Sequence, residues 1–461
     1  MDNRNYSTNS NNYNYQYSPT QGADYEDKSL TTDMDVMNAY NQEDKNSKII
    51  NKNVVLEEID HLLSDTQKKP KSSNFQVYMN TVKLFFGNAY LSIPKTFQYS
   101  GIIGGILMFA IVGLINCYTM LLNLRVADRH PRIASYSQLS LKVFGRSGKW
   151  IVDISIWIMQ LSCCISYLFF IGKQLSDIVS SQTDFQYDQK FYILLLTIPA
   201  VPICWIETYT FLSYFSIAGI SVALVGMLCM FGYNFDKLAN HDAVYTDLKY
   251  FDILGMFGHI GVAMFVFEGN AVIMNVRAEA KYKDKYPMVL NLAIVTSISL
   301  FMVFASVCYI TYRDQTNDIF VLSLQISGFT IFIRLCTCFN ALCSYPVQIL
   351  AAFEIYEDNS WFKTGTQKIQ KFKKIICRSI IVWLITGISL LIPNFTDFLN
   401  IAGSVGSTMI AFVLPPILYM KEFRRDLTVW HKIPQWAIVV FGVVGGTYSV
   451  YFSIDKIIKG Q

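Results

Sequence analysis

The stretch KLFFGNAYLSIP, residues 83–94, decides the fold. It lies in an apolar segment, residues 77–97, that is long enough as a helix to cross a bilayer core of about 30 Å. Gly87, Asn88 and Pro94 fall within about two helical turns of each other, and each disfavours a continuous apolar helix. Because lipid cannot hydrogen-bond exposed backbone groups, a membrane helix breaks only where other groups compensate. The stretch therefore predicts a membrane helix whose centre is unwound.

A second stretch, FGHIGVAMFVFEGN at residues 257–270, repeats this pattern. It places glycines, Glu268 and Asn270 in the middle of the sixth apolar segment, residues 252–277. The two interruptions are five spans apart, as expected for two inverted five-helix repeats, whose paired broken helices indicate a binding site near the bilayer midplane. Freed N–H groups suit a carboxylate, and freed carbonyl groups suit an ammonium or a cation. A zwitterionic amino acid supplies both charges.

Composition supports a membrane protein. Hydrophobic residues make up 52% of the 461 residues and charged residues 16%, against roughly 25% charged in an ordinary soluble domain. A disordered, collagenous or coiled-coil chain is thereby excluded for most of the sequence, and the net charge of +4 is too small to indicate a nucleic-acid partner. The ten cysteines lie in or beside apolar segments, so neither a disulfide framework nor a metal site is predicted. No nucleophile–base set or phosphate loop indicates an enzyme, and no cofactor is expected.

The hydropathy pattern predicts an all-α integral membrane fold with about eleven transmembrane helices: two inverted five-helix repeats plus one extra helix, with spans one and six discontinuous. The eighth segment is too long for one crossing, and its start, residues 319–329, is expected to lie along the interface. The predicted spans are 77–97, 101–124, 148–179, 190–206, 211–235, 252–277, 287–312, 319–352, 376–393, 396–420 and 434–455.

Positive charges predict the orientation. Lysines and arginines cluster in the loops after spans two, six, eight and ten, for example Arg125, Arg129, Lys281, Lys283, Lys368, Lys371, Arg424 and Arg425. The opposite loops hold little beyond Lys190, Lys237, Lys249 and Arg313. By the positive-inside rule, the N-terminus is cytosolic and the C-terminus lies outside or in a lumen.

The first 73 residues differ from the rest. Residues 1–73 contain almost no apolar run and are predicted to form a disordered cytosolic tail, whereas residues 74–461 form the membrane domain. Within the tail, Glu58, Leu62 and Leu63 form an acidic dileucine pattern that resembles signals read by cytosolic sorting adaptors. The alternative is a short amphipathic helix with no sorting role. An endolysosomal, vacuolar or plasma membrane is consistent with either.

Five blocks in order resemble the amino acid/auxin permease family, closest to its proton-coupled amino acid transporter branch. They are Lys83 to Pro94, Gln160 with Cys164 and Tyr167, Phe267-Glu268-Gly269, Tyr345-Pro346 with Gln348 and Glu354, and Ile401 to Ser407 followed by Pro415 and Pro416. The resemblance covers residues 75–455 and implies the APC/LeuT-like fold and amino acid uptake driven by an ion gradient.

One departure from the family pattern concerns the substrate and another concerns the coupling ion. The family's Gly-Thr-Gly or Gly-Ser-Gly is replaced by Gly87-Asn88-Ala89, in which Asn88 can still donate to a carboxylate whereas Ala89 narrows the approach to the backbone. The first-helix His of the proton-coupled branch falls on Asn80, whereas the sodium-coupled branch has Asn both there and at Lys83. A fixed ammonium at Lys83 would take the place of a sodium ion; the alternative is a lysine that snorkels to the cytosolic interface.

The candidate substrate-binding residues surround the two breaks. They are Gly87, Asn88, Ala89, Tyr90, Tyr167, Phe267, Glu268 and Gly269. The candidate ion-coupling residues are Asn80, Lys83 and Glu268; an ionisable group deep in a span is a functional candidate by default, although Glu268 could instead be a structural carboxyl that holds the unwound segment. His259 is expected to be solvated at the membrane edge, and Arg334 to anchor at the interface.

The leading hypothesis is a secondary active transporter that moves small neutral amino acids with protons by alternating access. Neutral substrates are favoured because no acidic cluster indicates a cationic substrate and no arginine indicates an acidic one. The alternatives are sodium coupling and an amino acid sensor that signals through its N-terminal tail. A channel is disfavoured because no filter repeat or charged ring is found.

Overall fold

The computed structural model describes residues 72–459 except 132, 185, 206–208, 241–243, 245 and 358–359. The predicted tail up to residue 71, with Glu58, Leu62 and Leu63, lies outside the described residues. The helices are α1 (Asn74–Phe85), α2 (Ile93–Ser100), α3 (Ile102–Asp128), α4 (Tyr136–Phe144), α5 (Arg146–Gln182), α6 (Gln189–Ile203), α7 (Tyr209–Ala239), α8 (Ile253–Gly258), α9 (Ile260–Val266), α10 (Ile273–Glu279), α11 (Tyr286–Tyr312), α12 (Gly328–Glu357), α13 (Ser360–Lys363), α14 (Gln367–Leu391), α15 (Phe395–Ala402), a π-helical segment (Gly403–Val413), α16 (Leu414–Glu422) and α17 (Val429–Lys459).

The described chain is a membrane-type helical bundle. Eight helical stretches in it are long and apolar enough to cross a bilayer, and α6 is a shorter apolar helix of 15 residues. Many apolar side chains face outward, among them Leu114, Leu228 and Leu391, which are 56%, 68% and 81% exposed. Such a surface suits lipid rather than water. Helices occupy all the predicted spans, and the all-α membrane fold is confirmed.

The first predicted span is discontinuous, as expected. Ser73 caps α1: its side chain accepts a hydrogen bond from the amide of Gln76, whose side chain accepts one from the amide of Ser73. The helix ends at Phe85, residues 86–88 are not helical, and a short 3₁₀ turn at Ala89–Ser92 leads into α2. Pro94 lies in the first turn of α2, where its missing N–H costs nothing.

The sixth span is also broken as predicted. Helix α9 ends at Val266, residues 267–272 are unwound, and the chain resumes as α10. The start of α1 is joined to the end of α10, because the amide of Ser72 donates to the carbonyl of Glu279 (2.9 Å) and the amide of Lys281 donates to the carbonyl of Ser72 (3.0 Å). The two broken spans are therefore linked at one face of the bundle.

The eighth apolar segment was expected to be too long for one crossing, and α12 begins only at Gly328, after a short 3₁₀ turn (Phe320–Ser323). Another expectation needs correction. Arg334 is not an interfacial anchor. It is 1% exposed, pairs with Asp177 of α5, and donates to the carbonyl of Leu324 (3.3 Å). A cationic side chain this deep is stable only with such partners.

Candidate functional site

A small cleft lies where the two broken spans face α5. It contains six of the predicted substrate-binding residues, namely Gly87, Asn88, Ala89, Tyr167, Glu268 and Gly269. These residues come from three separate parts of the chain, so the fold brings together what the sequence placed far apart. A concave site with a few convergent polar groups is the form that small-molecule sites take.

Two predicted residues lie outside this cleft, in the aromatic core. Tyr90 stacks on Phe301 with 5.8 Å between ring centroids and meets Phe304 edge-on at 5.6 Å. Phe267 is fully buried and packs against Phe85, Phe109 and Phe301. Both aromatic rings therefore pack in the core beside the breaks and do not line the cleft.

The first break is held to α5 by a side-chain amide. Nδ2 of Asn88 donates to the carbonyl of Ser166 (3.0 Å), and the hydroxyl of Ser166 donates to Oδ1 of Asn88 (3.2 Å). The Asn88 side chain is thus occupied by the protein. The backbone amides of Gly87, Asn88 and Gly269, by contrast, donate to no acceptor in the described part of the chain. Backbone N–H groups without an acceptor are available to an anionic group of a ligand, and all three belong to residues that line the cleft.

Tyr167 closes one side of the cleft beside Gly87. Its hydroxyl hydrogen-bonds with Ser344 and Gln348 of α12. A Cβ atom at position 87 would lie 3.2 Å from this hydroxyl oxygen, tighter than an ordinary van der Waals contact. Glycine therefore keeps the first break open to the cleft.

Glu268 has two contacts that explain its position. Its carboxylate accepts hydrogen bonds from the amides of Ala271 (3.2 Å) and Asn270, so it caps its own unwound segment. It is also the one charged side chain among the described residues that line the cleft. Because a carboxylate can accept more than two hydrogen bonds, Glu268 can hold the unwound segment and still bind a donor group in the cleft.

The unwound segment continues into a buried polar chain. Oδ1 of Asn270 accepts from Nδ2 of Asn123 (3.0 Å), and Nδ2 of Asn270 donates to the hydroxyl of Thr119 (3.4 Å). Both partners belong to α3, so the second break is tied to that helix as the first is tied to α5. The two breaks are consequently fixed features of the fold.

The predicted ion-coupling residues do not lie together. Nζ of Lys83 is buried, has no hydrogen-bond partner among the described residues, and is near Cys343 of α12. An ammonium that snorkelled to the interface would be hydrated, so the snorkelling alternative does not fit. Asn80 is exposed, one turn earlier on α1, and neither residue lines the cleft.

The sequence analysis did not select several cleft residues, including Met159, Gln160, Cys163, Val272 and Gln348. A signal existed for part of this set. Gln160, Cys163 and Tyr167 follow i, i+3, i+7 spacing and therefore share one face of α5.

A second polar cluster lies away from the cleft. We call Tyr99, His259, Asp397 and Lys456 the Lys456 cluster. Nζ of Lys456 donates to both carboxylate oxygens of Asp397 (3.2 and 3.3 Å) and to the hydroxyl of Tyr99 (2.8 Å). The ring of Tyr99 stacks on His259 with 4.1 Å between centroids. His259 is fully buried, so the expectation of a solvated edge histidine was wrong.

Comparison with solved structures identifies the fold. The chain is similar to Mhp1, a nucleobase-cation-symport-1 family transporter, in a closed conformation with bromovinylhydantoin bound: the TM-score is 0.54 at 12% identity, covering 85% of this chain and 93% of that one. An inward-facing conformation of Mhp1 gives a TM-score of 0.52, covering 85% and 92%. At this identity the likeness shows the fold alone, and it confirms the predicted APC/LeuT-like arrangement.

Sequence comparison identifies the family. Amino acid transporter ANT1 of Arabidopsis thaliana is 26% identical over 410 residues, covering 85% of this chain and 94% of the relative. Vacuolar amino acid transporter 4 of Saccharomyces cerevisiae is 24% identical over 452 residues, covering 87% and 61%. The profile of the family described as transmembrane amino acid transporter protein matches residues 70–455. The chain therefore belongs to this family, the amino acid/auxin permeases, as its five sequence blocks suggested.

Proposed function

We propose that this protein is a secondary active transporter that moves neutral amino acids across a membrane with protons, by alternating access at the cleft. The observation that carries the proposal is the pairing of free backbone amides with a carboxylate in one cleft. The amides of Gly87 and Asn88 suit the substrate carboxylate, and Glu268 suits its ammonium. Membership in an amino acid transporter family supports this substrate class.

A neutral substrate follows from the charges that line the cleft. Beside Glu268, the described lining holds uncharged side chains such as Gln160, Tyr167 and Gln348 and apolar ones such as Val272. A second charge on the substrate would have no counter-ion there and would lose its hydration on binding. Side chains without charge are therefore favoured.

Proton coupling is the form of transport that the buried charges favour. Lys83 places an unpaired ammonium between α1 and α12, where it would repel a bound sodium ion. Glu268 is the lining group that can take up and release a proton as the cleft changes sides. Sodium coupling remains the alternative, and the experiments below separate the two.

The direct test is uptake of labelled alanine, glycine and proline into proteoliposomes. We expect uptake to rise with an inward pH gradient and to be independent of sodium. Full sodium dependence with no response to the pH gradient would overturn proton coupling while leaving transport intact. Amino acid binding without any flux would instead favour the sensor hypothesis, and loss of signalling when residues 1–73 are deleted would support it.

Two substitutions test whether transport depends on the cleft. Glu268→Gln is expected to flatten the pH dependence of uptake, and an unaltered pH profile would leave Glu268 with a structural role only. Gly269→Leu should abolish uptake without preventing membrane insertion, because a Cβ atom there would already lie 2.8 Å from Cε of Met120 and 3.2 Å from Phe85. Gly387→Leu is the matched control, because no atom lies within 4 Å of a Cβ atom at that position. Equal uptake by the two leucine variants would argue against this site.

The membrane in which the protein works is also a proposal. A vacuolar or endolysosomal membrane is favoured by the relative named vacuolar amino acid transporter 4 and by the dileucine pattern at Glu58, Leu62 and Leu63. Replacing Leu62 and Leu63 with alanine is expected to move the tagged protein to another compartment. An unchanged location would show that sorting does not depend on this pattern.

A further inference from the structure

One side-chain oxygen of the cleft lining has no hydrogen-bond donor among the residues that the structure describes. Gln160 of α5 lines the cleft and is 3% exposed, and its Oε1 atom is buried without a hydrogen-bond donor in the described part of the chain. By contrast, the side-chain amide of Asn88, which also lines the cleft, hydrogen-bonds with Ser166. A buried amide oxygen left without a donor is costly, so its presence in a ligand site indicates that the ligand supplies the donor.

We propose that Gln160 is a specificity-determining residue that selects neutral amino acids whose side chain ends in a hydrogen-bond donor, the primary amide of glutamine or asparagine above all. This inference rests on the proposed function and assigns the side-chain end of the same cleft. Met159 and Cys163, which neighbour Gln160 on α5 and also line the cleft, offer no strong donor to the amide oxygen, so a donor on the substrate can pair with it.

Spacing along α5 separates the side-chain end of the cleft from the carboxylate end. Tyr167 lies beside Gly87, whose free amide marks the carboxylate end. Gln160 precedes Tyr167 by seven residues on the same helix face, which places their Cα atoms about 10.5 Å apart along the axis. The substrate ammonium is adjacent to its carboxylate and is served by Glu268, so it does not reach Gln160.

The chemistry of the donor also favours one kind of side chain. The terminal amide of glutamine or asparagine places N–H donors at the end of the side chain, away from the carboxylate. Methionine and leucine fill similar space but carry no donor, and they would leave Oε1 of Gln160 unpaired.

The test compares uptake of glutamine and methionine, which have similar length and the same charged groups. In proteoliposomes with the unaltered chain, we expect glutamine uptake at low concentration to exceed methionine uptake by about tenfold or more. Gln160→Met is expected to remove this preference, because the variant offers no amide oxygen. Gln174→Met is the control: Gln174 is a fully buried glutamine on the same helix whose amide atoms also have no partner, but it does not line the cleft. It should keep the preference.

Each result decides the inference. Equal uptake of the two amino acids by the unaltered chain, or an undiminished preference in Gln160→Met, would overturn it while leaving amino acid transport established. If Gln160→Met accumulates neither amino acid, Gln160→Asn decides, because it retains an amide oxygen and should still favour glutamine. Equal uptake by Gln160→Asn would overturn the inference. Uptake of no amino acid by the unaltered chain would overturn the proposed function and this inference with it.

Discussion

Removing the ammonium of the Lys456 cluster should open the bundle at the face predicted to be outer. Lys456 of α17 pairs with Asp397 of α15 and bonds Tyr99 of α2, and Tyr99 stacks on His259 between α8 and α9. The cluster thus joins the halves of both broken spans on this side to the last two spans. Any motion that separates these elements must first break the ion pair.

The size of the effect follows from burial. Asp397 is 1% exposed and Lys456 is 8% exposed, so Lys456→Met leaves a buried carboxylate without its ion-pair partner, with Lys95 acting on it from beyond ion-pair distance. Breaking a buried pair in this way typically costs about 3–5 kcal/mol. Neutralising an ordinary aspartate by protonation at pH 7 costs about 4 kcal/mol, so the penalty cannot greatly exceed that value. Because opening would hydrate the carboxylate, the closed arrangement alone loses this energy, and the ratio of open to closed forms should rise about 10²- to 10³-fold.

The assay is thiol labelling of Thr96→Cys in purified protein, with the site resolved by mass spectrometry. Thr96 is fully buried in α2, one turn before Tyr99, so labelling reports opening of this face. The matched control is Lys459→Met, one turn further along α17. Lys459 also pairs with an aspartate, Asp455 at 2.7 Å, but both side chains are substantially exposed and the pair contributes little.

We expect Lys456→Met to accelerate labelling strongly and Lys459→Met to leave it nearly unchanged. Adding Asp397→Asn to Lys456→Met removes the orphaned charge and should restore slow labelling. Labelling of Lys456→Met at the parent rate would refute the reasoning. Fast labelling in the double variant would show that lost packing, and not the unpaired charge, opens the face.

Three further outcomes are expected. Gly87→Ala should lower uptake, since its Cβ atom would lie 3.2 Å from the Tyr167 hydroxyl, and Tyr167→Phe should restore part of the loss; no recovery would place the obstruction elsewhere. Arg378→Met should lower thermal stability by several degrees, because it leaves Glu357 buried without its bidentate partner at 2.6 and 2.9 Å, and the added change Glu357→Leu should recover much of it. Lys83→Asn should make uptake respond to sodium if the buried ammonium excludes that ion, as comparison of uptake in sodium and choline media will reveal.

The sequence predicted the broken spans well because their signals are local. Gly87, Asn88 and Pro94 sit close together in an apolar run, and the same holds for Glu268 and Gly269, so the unwound backbone could be located without a structure. Membrane insertion and fold class followed from hydropathy for the same reason.

Side-chain direction at the breaks could not be predicted. Helical periodicity assigns faces only where the helix is continuous, and Tyr90 and Phe267 flank segments where it is lost. Both were candidates for covering a ligand, with packing in the core as the alternative, and both rings pack into the core. Helix α5, by contrast, is continuous, so the spacing of Gln160 and Tyr167 predicts that both lie on one helix face. Gln160 could therefore have been chosen as a candidate together with Tyr167.

Long-range pairing was the other gap. Arg334 and Asp177 lie 157 positions apart, and Lys456 and Asp397 lie 59 apart, so no local pattern matches one with the other. The sequence alone makes a lone charge in an apolar segment look either interfacial or functional. The structure resolves this choice because a buried charge that serves the fold has its partner within the fold.

The same criterion separates structural from functional polar groups at the cleft. Asn88 and Asn270 lie at the two breaks. The side chain of Asn88 hydrogen-bonds with Ser166 and that of Asn270 with two residues of α3, so both hold the unwound backbone in place. The backbone amide of Gly87 and Oε1 of Gln160 have no such partners in the described part of the chain. The fold thus satisfies the polar side chains at its breaks but leaves one donor and one acceptor of the cleft without partners. A cleft of this kind is complementary to a molecule that carries an acceptor and a donor at matching separation. The proposed substrate, a neutral amino acid whose side chain ends in a hydrogen-bond donor, is such a molecule.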